Sequence, residues 1–216
     1  MNVSLSALCT PKEQMQVIMD KKKLRKQIEF IEEIDKLKSI IRRTRLLDDS
    51  RYENDAEHSW HLAMMAIVLS EHANDKNIDL LKVIKMLLIH DIPEIDAGDT
   101  FLYDKDGRID SVENEKKGAE RIFSILPSGM TKELIGLWEE FEKKKTPEAK
   151  FAGALDRLEP LLQNYNTGGH AWKKHGIVRS QVEKNNLTIV HGSQTLWDLA
   201  QSLIDESVEK EYLEDS

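Results

Sequence analysis

The stretch NDAEHSWHLAMMAIVL, Asn54 to Leu69, decides the fold. Asn54-Asp55 supply an N-cap, and the helix they open is expected to run from about Ala56 to Ala73. Leu62, Met65 and Leu69 recur at helical spacing and form its apolar stripe. His58 shares that face, so the helix delivers an imidazole to whatever the stripe packs against. Taken alone, His58 also reads as a satisfied core histidine.

Upstream, Ile31, Ile34, Leu37 and Ile41 predict a helix over Ile28–Arg45, ended by Asp48-Asp49-Ser50. Before it, Lys12–Lys26 reads as an amphipathic helix, and its run Lys21-Lys22-Lys23 as a solvated face rather than a nucleic-acid or membrane patch. Downstream, Asp79 can cap a helix with Leu80, Ile84 and Leu87 inward, ending near Ile92-Pro93. A polar loop, Asp96–Asp110, follows. Further helices are expected over Glu113–Leu126, Thr131–Lys145, Pro147 to about Tyr165, Ser180–Asn185 and Ser193–Tyr212. Pro127-Ser128-Gly129 and Asn166-Thr167-Gly168-Gly169 separate some of them. No clear strand appears, since Thr188–Val190 is too short. The expectation is an all-α chain: one helical bundle of about eight or nine helices over residues 28–216, with a helical extension over residues 1–27.

Composition agrees with that frame. The 216 residues suffice for one sizeable core, and 40% hydrophobic with 32% charged residues is a globular balance. Ten Gly and five Pro are too few for a turn-rich sandwich or barrel. A formal charge of -8 repels nucleic-acid backbones but leaves room for a local pocket that holds a small anion. One cysteine, Cys9, excludes an intrachain disulfide and fits a reducing compartment. No apolar run approaches a membrane span, and no secretory signal is legible at Met1–Pro11, so the expected location is the cytoplasm. Neither nucleic acid nor membrane is an expected partner, and a homodimer stays open.

Three features carry chemistry together. Glu57-His58 opens one helix, His90-Asp91 closes the apolar run Met86-Leu87-Leu88-Ile89, and Asp156 sits among Ala152, Ala154, Leu155 and Leu158. Each has an ordinary reading: a core histidine, a polar helix end, an aspartate paired with Arg157. Jointly they are harder to dismiss, because ionisable groups inside an apolar bundle are costly unless paired or metal-bound. Four N/O donors from three helices suit one divalent first-row metal ion. Bundles build such sites between facing helices.

The order His, His-Asp, Asp resembles the HD superfamily of metal-dependent phosphohydrolases, and more closely its 5′-deoxynucleotidase branch. Arg51–Ser59 (RYENDAEHS), His90–Asp99 (HDIPEIDAGD) and Ala154–Leu161 (ALDRLEPL) carry the resemblance, which extends from about Ile28 to the C-terminus. It implies metal ligands His58, His90, Asp91 and Asp156. His61, one turn after His58, competes for the first place, but the motif points to the histidine that follows Glu57. It also implies catalytic roles for Glu94 and Asp99, and a phosphate-binding arginine before the first motif. Arg43 matches that arginine when counted back from Glu57, and Arg42 when counted from Leu37-Lys38. Where well-known bacterial members carry a Trp beside it, this chain has Thr44 or Arg43, which leaves the sugar preference open.

The implied activity is metal-assisted hydrolysis of the 5′-phosphate of (deoxy)nucleoside monophosphates, with one Mn, Co, Fe, Ni or Zn ion as cofactor and a small nucleotide as partner. The alternatives are another HD phosphohydrolase acting on a triphosphate, cyclic nucleotide or alarmone, or a non-catalytic helical protein stabilised by its metal. No second basic cluster for a polyphosphate is legible. His170, Trp172, His175 and Gly168-Gly169 could cap the pocket or form a structural turn. His72 and His191 have no partner to name, and Trp138 and Trp197 are expected in the core.

Overall fold

The computed structural model describes residues 10–103 and 107–216. Cys9 and part of the expected Asp96–Asp110 loop lie outside the described residues. The helices are α1 (Pro11–Ile34), α2 (Asp55–Leu69), α3 (Leu80–Ile89), α4 (Glu94–Ala97), α5 (Gly107–Phe123), α6 (Ser128–Lys143), α7 (Pro147–Asn166), α8 (His170–His175), α9 (Arg179–Asn186), α10 (Ile189–Gly192) and α11 (Gln194–Glu209). Since α4 and α10 are single turns, nine longer helices make up the described bundle, as the sequence predicts.

Helix starts follow their caps. The Asn54 side chain accepts from the Glu57 backbone N–H, and the Glu57 carboxylate accepts in return from the Asn54 N–H, a full capping box at α2. The side chains of Asp79, Thr146 and Ser193 accept from the backbone N–H three residues on and so cap α3, α7 and α11, without the reciprocal bond. Pro147 opens α7, where its missing N–H costs nothing.

The centre is α7. Its Ala152, Ala154, Leu155 and Leu158 are buried, and it packs on α2, α3, α6, α10 and α11. The α10–α7 approach is tight: a Cβ on Gly192 would lie 2.3 Å from the Lys150 carbonyl oxygen. A second apolar cluster, including Phe30, Ile92, Ile122, Phe123 and Trp138, seals the end of α1 onto α5 and α6. Trp138 and Trp197 are core residues, as expected.

The structure departs from the sequence reading upstream of α2. One helix, α1, runs through position 27 to Ile34, where two were expected. It is followed by a 3-10 turn at Asp35–Ser39 and not by more α-helix. Residues Ile41–Arg45 are then a strand, β1, paired antiparallel with β2 (Tyr52–Asn54). The apolar spacing of Ile34, Leu37 and Ile41 continues past the true helix end, because the 3-10 turn still buries Leu37. The Asp48 side chain accepts from the Ser50 N–H, and this turn closes the hairpin that was read as a helix terminus. Along β1, alternation places Arg42 and Thr44 inward and Ile41 and Arg43 outward. No described helix is long and apolar enough to cross a membrane.

Candidate metal and active site

Four side chains converge where α2, the end of α3 and the middle of α7 meet. His58 Nε2 lies 3.3 Å from Asp156 Oδ1 and 3.9 Å from Asp91 Oδ2. His90 Nε2 lies 3.0 Å from Asp91 Oδ1 and 3.6 Å from Asp156 Oδ1. Donors bound at about 2.1 Å to one ion stand roughly 3.0–3.4 Å apart; the 3.0 and 3.3 Å spacings fall in that range and the 3.6 and 3.9 Å spacings are longer. His58, His90 and Asp156 each offer a ligand atom within 4.8 Å of the others, and Asp91 adjoins His90. All four side chains predicted from sequence are brought together.

The proton positions make the case chemical. His90 Nδ1 is 2.9 Å from the Leu87 carbonyl oxygen, which can only accept, so Nδ1 carries the hydrogen. Nε2 is then a bare acceptor. It is buried, has no hydrogen-bond partner and faces two carboxylates. Such an atom is costly unless a cation or a proton sits beside it. His58 repeats the pattern, with Nδ1 3.2 Å from Glu159 Oε2 and Nε2 turned to Asp156. A carboxylate behind a ligating imidazole is the common way to fix its tautomer. The donor set therefore fits a divalent ion.

Charge balance points the same way. Burial and the Arg42 charge depress the His58 imidazole, but Asp156, Glu159 and Glu53 outweigh them and hold it well above its usual range. His90 is raised too: burial depresses it, but Asp91 and Asp156 prevail. Burial pushes Asp156 up, yet the two imidazoles bring it well below the carboxylate range. The facing carboxylates favour a proton on each imidazole, and a metal would compete with it.

His61 does not join the ligands. Its Nδ1 takes the other oxygen of Glu159, at 3.3 Å. Glu159 itself, fully buried and lowered to about 2 by the two histidines against the cost of burial, was not legible as a site residue. Its only signal is a charged residue one turn after Asp156 on an apolar helix. Arg42 was read only as a rival of Arg43. It is mostly buried and ties Asp55 and Asp91, each at 3.0 Å, with Glu53 at 3.7 Å. Arg43, on the opposite side of β1, makes no ion pair among the described residues and lines the cavity in front of the ligands.

That cavity, about 210 Å³, is also lined by Glu94, Asp99, Phe101, Tyr103 and Trp172. Pro93 precedes α4, so Glu94 enters from the first residue of a single-turn helix and not from a loop. Gly98, at φ 77°, turns the chain so that Asp99 follows into the pocket. Oxygen atoms of Glu94, Asp99 and Asp55 lie within 4.8 Å of one another. Burial, then Asp91 and Asp55, push Glu94 well above the carboxylate range, and burial with Asp91 raises Asp55 to about 6. Asp99 is raised by burial more than Arg42 lowers it. Asp55 was read only as part of an N-cap. His175 packs against Phe101 with ring centres 4.6 Å apart, and buried Trp172 forms part of the wall.

Comparison with known proteins agrees with this geometry. A family model described as HD domain matches residues 34–197. The 5′-deoxynucleotidase HDDC2 of Danio rerio is 32% identical over 111 residues, covering 51% of this chain and 54% of that protein. Its Dictyostelium discoideum counterpart is 34% identical over 117 residues, covering 52% and 62%. The chain thus spans about half the length of the curated relatives it matches. A solved predicted metal-dependent phosphohydrolase of Magnetospirillum magnetotacticum MS-1 is 49% identical with a TM-score of 0.87, covering 90% of this chain and 97% of that one.

Proposed function

The chain belongs to the HD-domain family, and on that footing we propose that it removes the 5′-phosphate of (deoxy)nucleoside monophosphates with the help of one divalent metal ion. The observation that carries this reading is the convergence of His58 Nε2, His90 Nε2, Asp91 and Asp156 behind a cavity that Arg43 also lines. His58, His90, Asp91 and Asp156 hold the ion, and their mixed N/O chemistry favours Mn, Co, Fe, Ni or Zn over Mg or Ca. When bound, the ion supplies an acidified water and a polarised phosphoryl oxygen.

The protein's own groups do the rest. Arg43 presents a planar fork of donors to the phosphate and offsets its charge. Glu94 and Asp99 hold and move the proton between attacking water and leaving 5′-oxygen. Arg42 clamps Asp91 in place. The products are a nucleoside and inorganic phosphate. The phosphohydrolase unit spans residues 28–216, with residues 1–27 as an extension. A small nucleotide substrate, a net acidic chain and a single cysteine suit the cytoplasm.

A phosphate-release screen of the purified protein over nucleoside mono-, di- and triphosphates, each with Mn, Co, Ni, Zn or Mg, tests this. Release from monophosphates that depends on a first-row metal is the expected result. Turnover confined to di- or triphosphates, or no turnover with a stoichiometric metal in place, overturns it.

A further inference from the structure

Two cations that the phosphatase reading leaves unused line the same cavity. Lys144 follows α6, and Arg157 lies next to Asp156 on α7. They are separated in sequence but meet along α7. The Lys144 stem crosses Gly153, where a Cβ would lie 2.7 Å from its Cε. Arg157 is one helical turn beyond Gly153, on the same face. Position 153 thus leaves room for the lysine, and both side chains line the one cavity.

Among the described residues, neither forms an ion pair with a carboxylate, although Lys82, Lys85 and Lys143 nearby on α3 and α6 all do. Lys144 Nζ sits 4.1 Å from the centre of the Phe141 ring, whose own centre is 4.8 Å from that of His90. The charge is therefore held close to the ligand cluster. Lys144 also adopts a left-handed backbone, φ 46°, which a non-glycine residue takes up at some cost. Both cations line one cavity, where an anion would pair with them.

We propose that Lys144 and Arg157 form a second anion subsite, which takes a phosphoryl group of the substrate other than the one at the metal ligands. This rests on the phosphohydrolase reading above. A nucleotide with a second phosphoryl group, either in series, as in a diphosphate, or at another ribose oxygen, as in a bisphosphate, then binds tighter than the monophosphate. Arg43 and the metal ligands hold the first group, and Lys144 with Arg157 holds the second.

Binding tests this without turnover. The manganese-loaded protein is titrated calorimetrically with the 5′-phosphonate analogues of AMP, ADP and adenosine 3′,5′-bisphosphate. At least one two-phosphate ligand should bind about 10-fold or more tighter than the AMP analogue, and which one gains places the second group. In Lys144→Asn, which tolerates the left-handed backbone, and in Arg157→Gln, that ratio should fall towards one with Tm held. A ratio near one in the wild type, or an unchanged ratio in both variants, overturns the subsite. If the ratio stands while no nucleotide is hydrolysed, the phosphatase reading fails and the subsite survives.

Discussion

Glu159 Oε2 stands 3.2 Å from His58 Nδ1, with neither side chain reaching solvent. This contact fixes which imidazole nitrogen is free. Glu159→Gln keeps the size of the side chain but removes the charge that favours Nδ1–H. Metal affinity should fall about 10- to 100-fold, the usual cost of losing such a supporting carboxylate. Competitive metal titration against a chelating dye measures it. An unchanged affinity would remove Glu159 from the site.

Asp91 has two tasks, as proposed ligand and as partner of Arg42. Asp91→Ala should lose both metal and phosphate release while α-helical content by circular dichroism persists, because Arg42 keeps Asp55 at 3.0 Å. Retention of a stoichiometric metal with full turnover would show that the ligand set is wrong.

Adjacent arginines should separate cleanly. Arg43→Ala is expected to raise KM and lower kcat with metal content intact. Arg42→Ala leaves Asp55, Asp91 and Glu53 without their cation, and breaking a buried ion pair from one side costs about 3–5 kcal/mol. It should therefore appear first as a drop in Tm. If Arg42→Ala instead keeps its Tm and loses only phosphate binding, the two roles are exchanged.

How much of this was legible depends on whether the signal was local. The capped helices α2, α3, α7 and α11 announce themselves through Asn54, Asp79, Thr146-Pro147 and Ser193, because a cap is a short-range contact. The proposed ligands His58, His90, Asp91 and Asp156 were legible as ionisable groups in apolar helices. The β1–β2 hairpin was not, since Leu37 and Ile41 mimic a helical stripe through the 3-10 turn. Arg42, Asp55 and Glu159 were missed because each is read by partners distant in sequence. Lys144 and Arg157 form no run, so no basic cluster showed.

On the proposed ligand set, proton and metal compete for His58 and His90. Both imidazoles are raised in the metal-free protein by facing carboxylates. A raised histidine stabilises fully below its unfolded pKa, about 6.5, and that gain is lost as pH climbs through the folded value. Metal-free Tm should therefore fall as pH rises from about 6, whereas the Tm gained on adding manganese should grow. Differential scanning calorimetry at pH 5.5, 7 and 8.5, with and without metal, reads both trends. A metal gain that shrinks with pH contradicts the ligand assignment.

Glu94 and Asp99 distinguish catalysis from metal storage. Burial and the neighbouring Asp91 and Asp55 push Glu94 well above the carboxylate range in the metal-free protein. A raised carboxyl group costs stability: the folded state is favoured below the unfolded pKa, about 4.3, and loses ground as pH rises to the folded value. Glu94→Gln abolishes that loss and preserves a hydrogen-bond donor. The metal-free variant should therefore melt higher than wild type at pH 8 and alike at pH 4. Its kcat for a deoxynucleoside monophosphate should nevertheless fall on the order of 100-fold or more with metal content unchanged, as should that of Asp99→Asn. Higher stability with lower turnover is what a proton-handling acid in a costly place gives. If both variants turn over like wild type, these acids only line the cavity, and the proton moves through other groups.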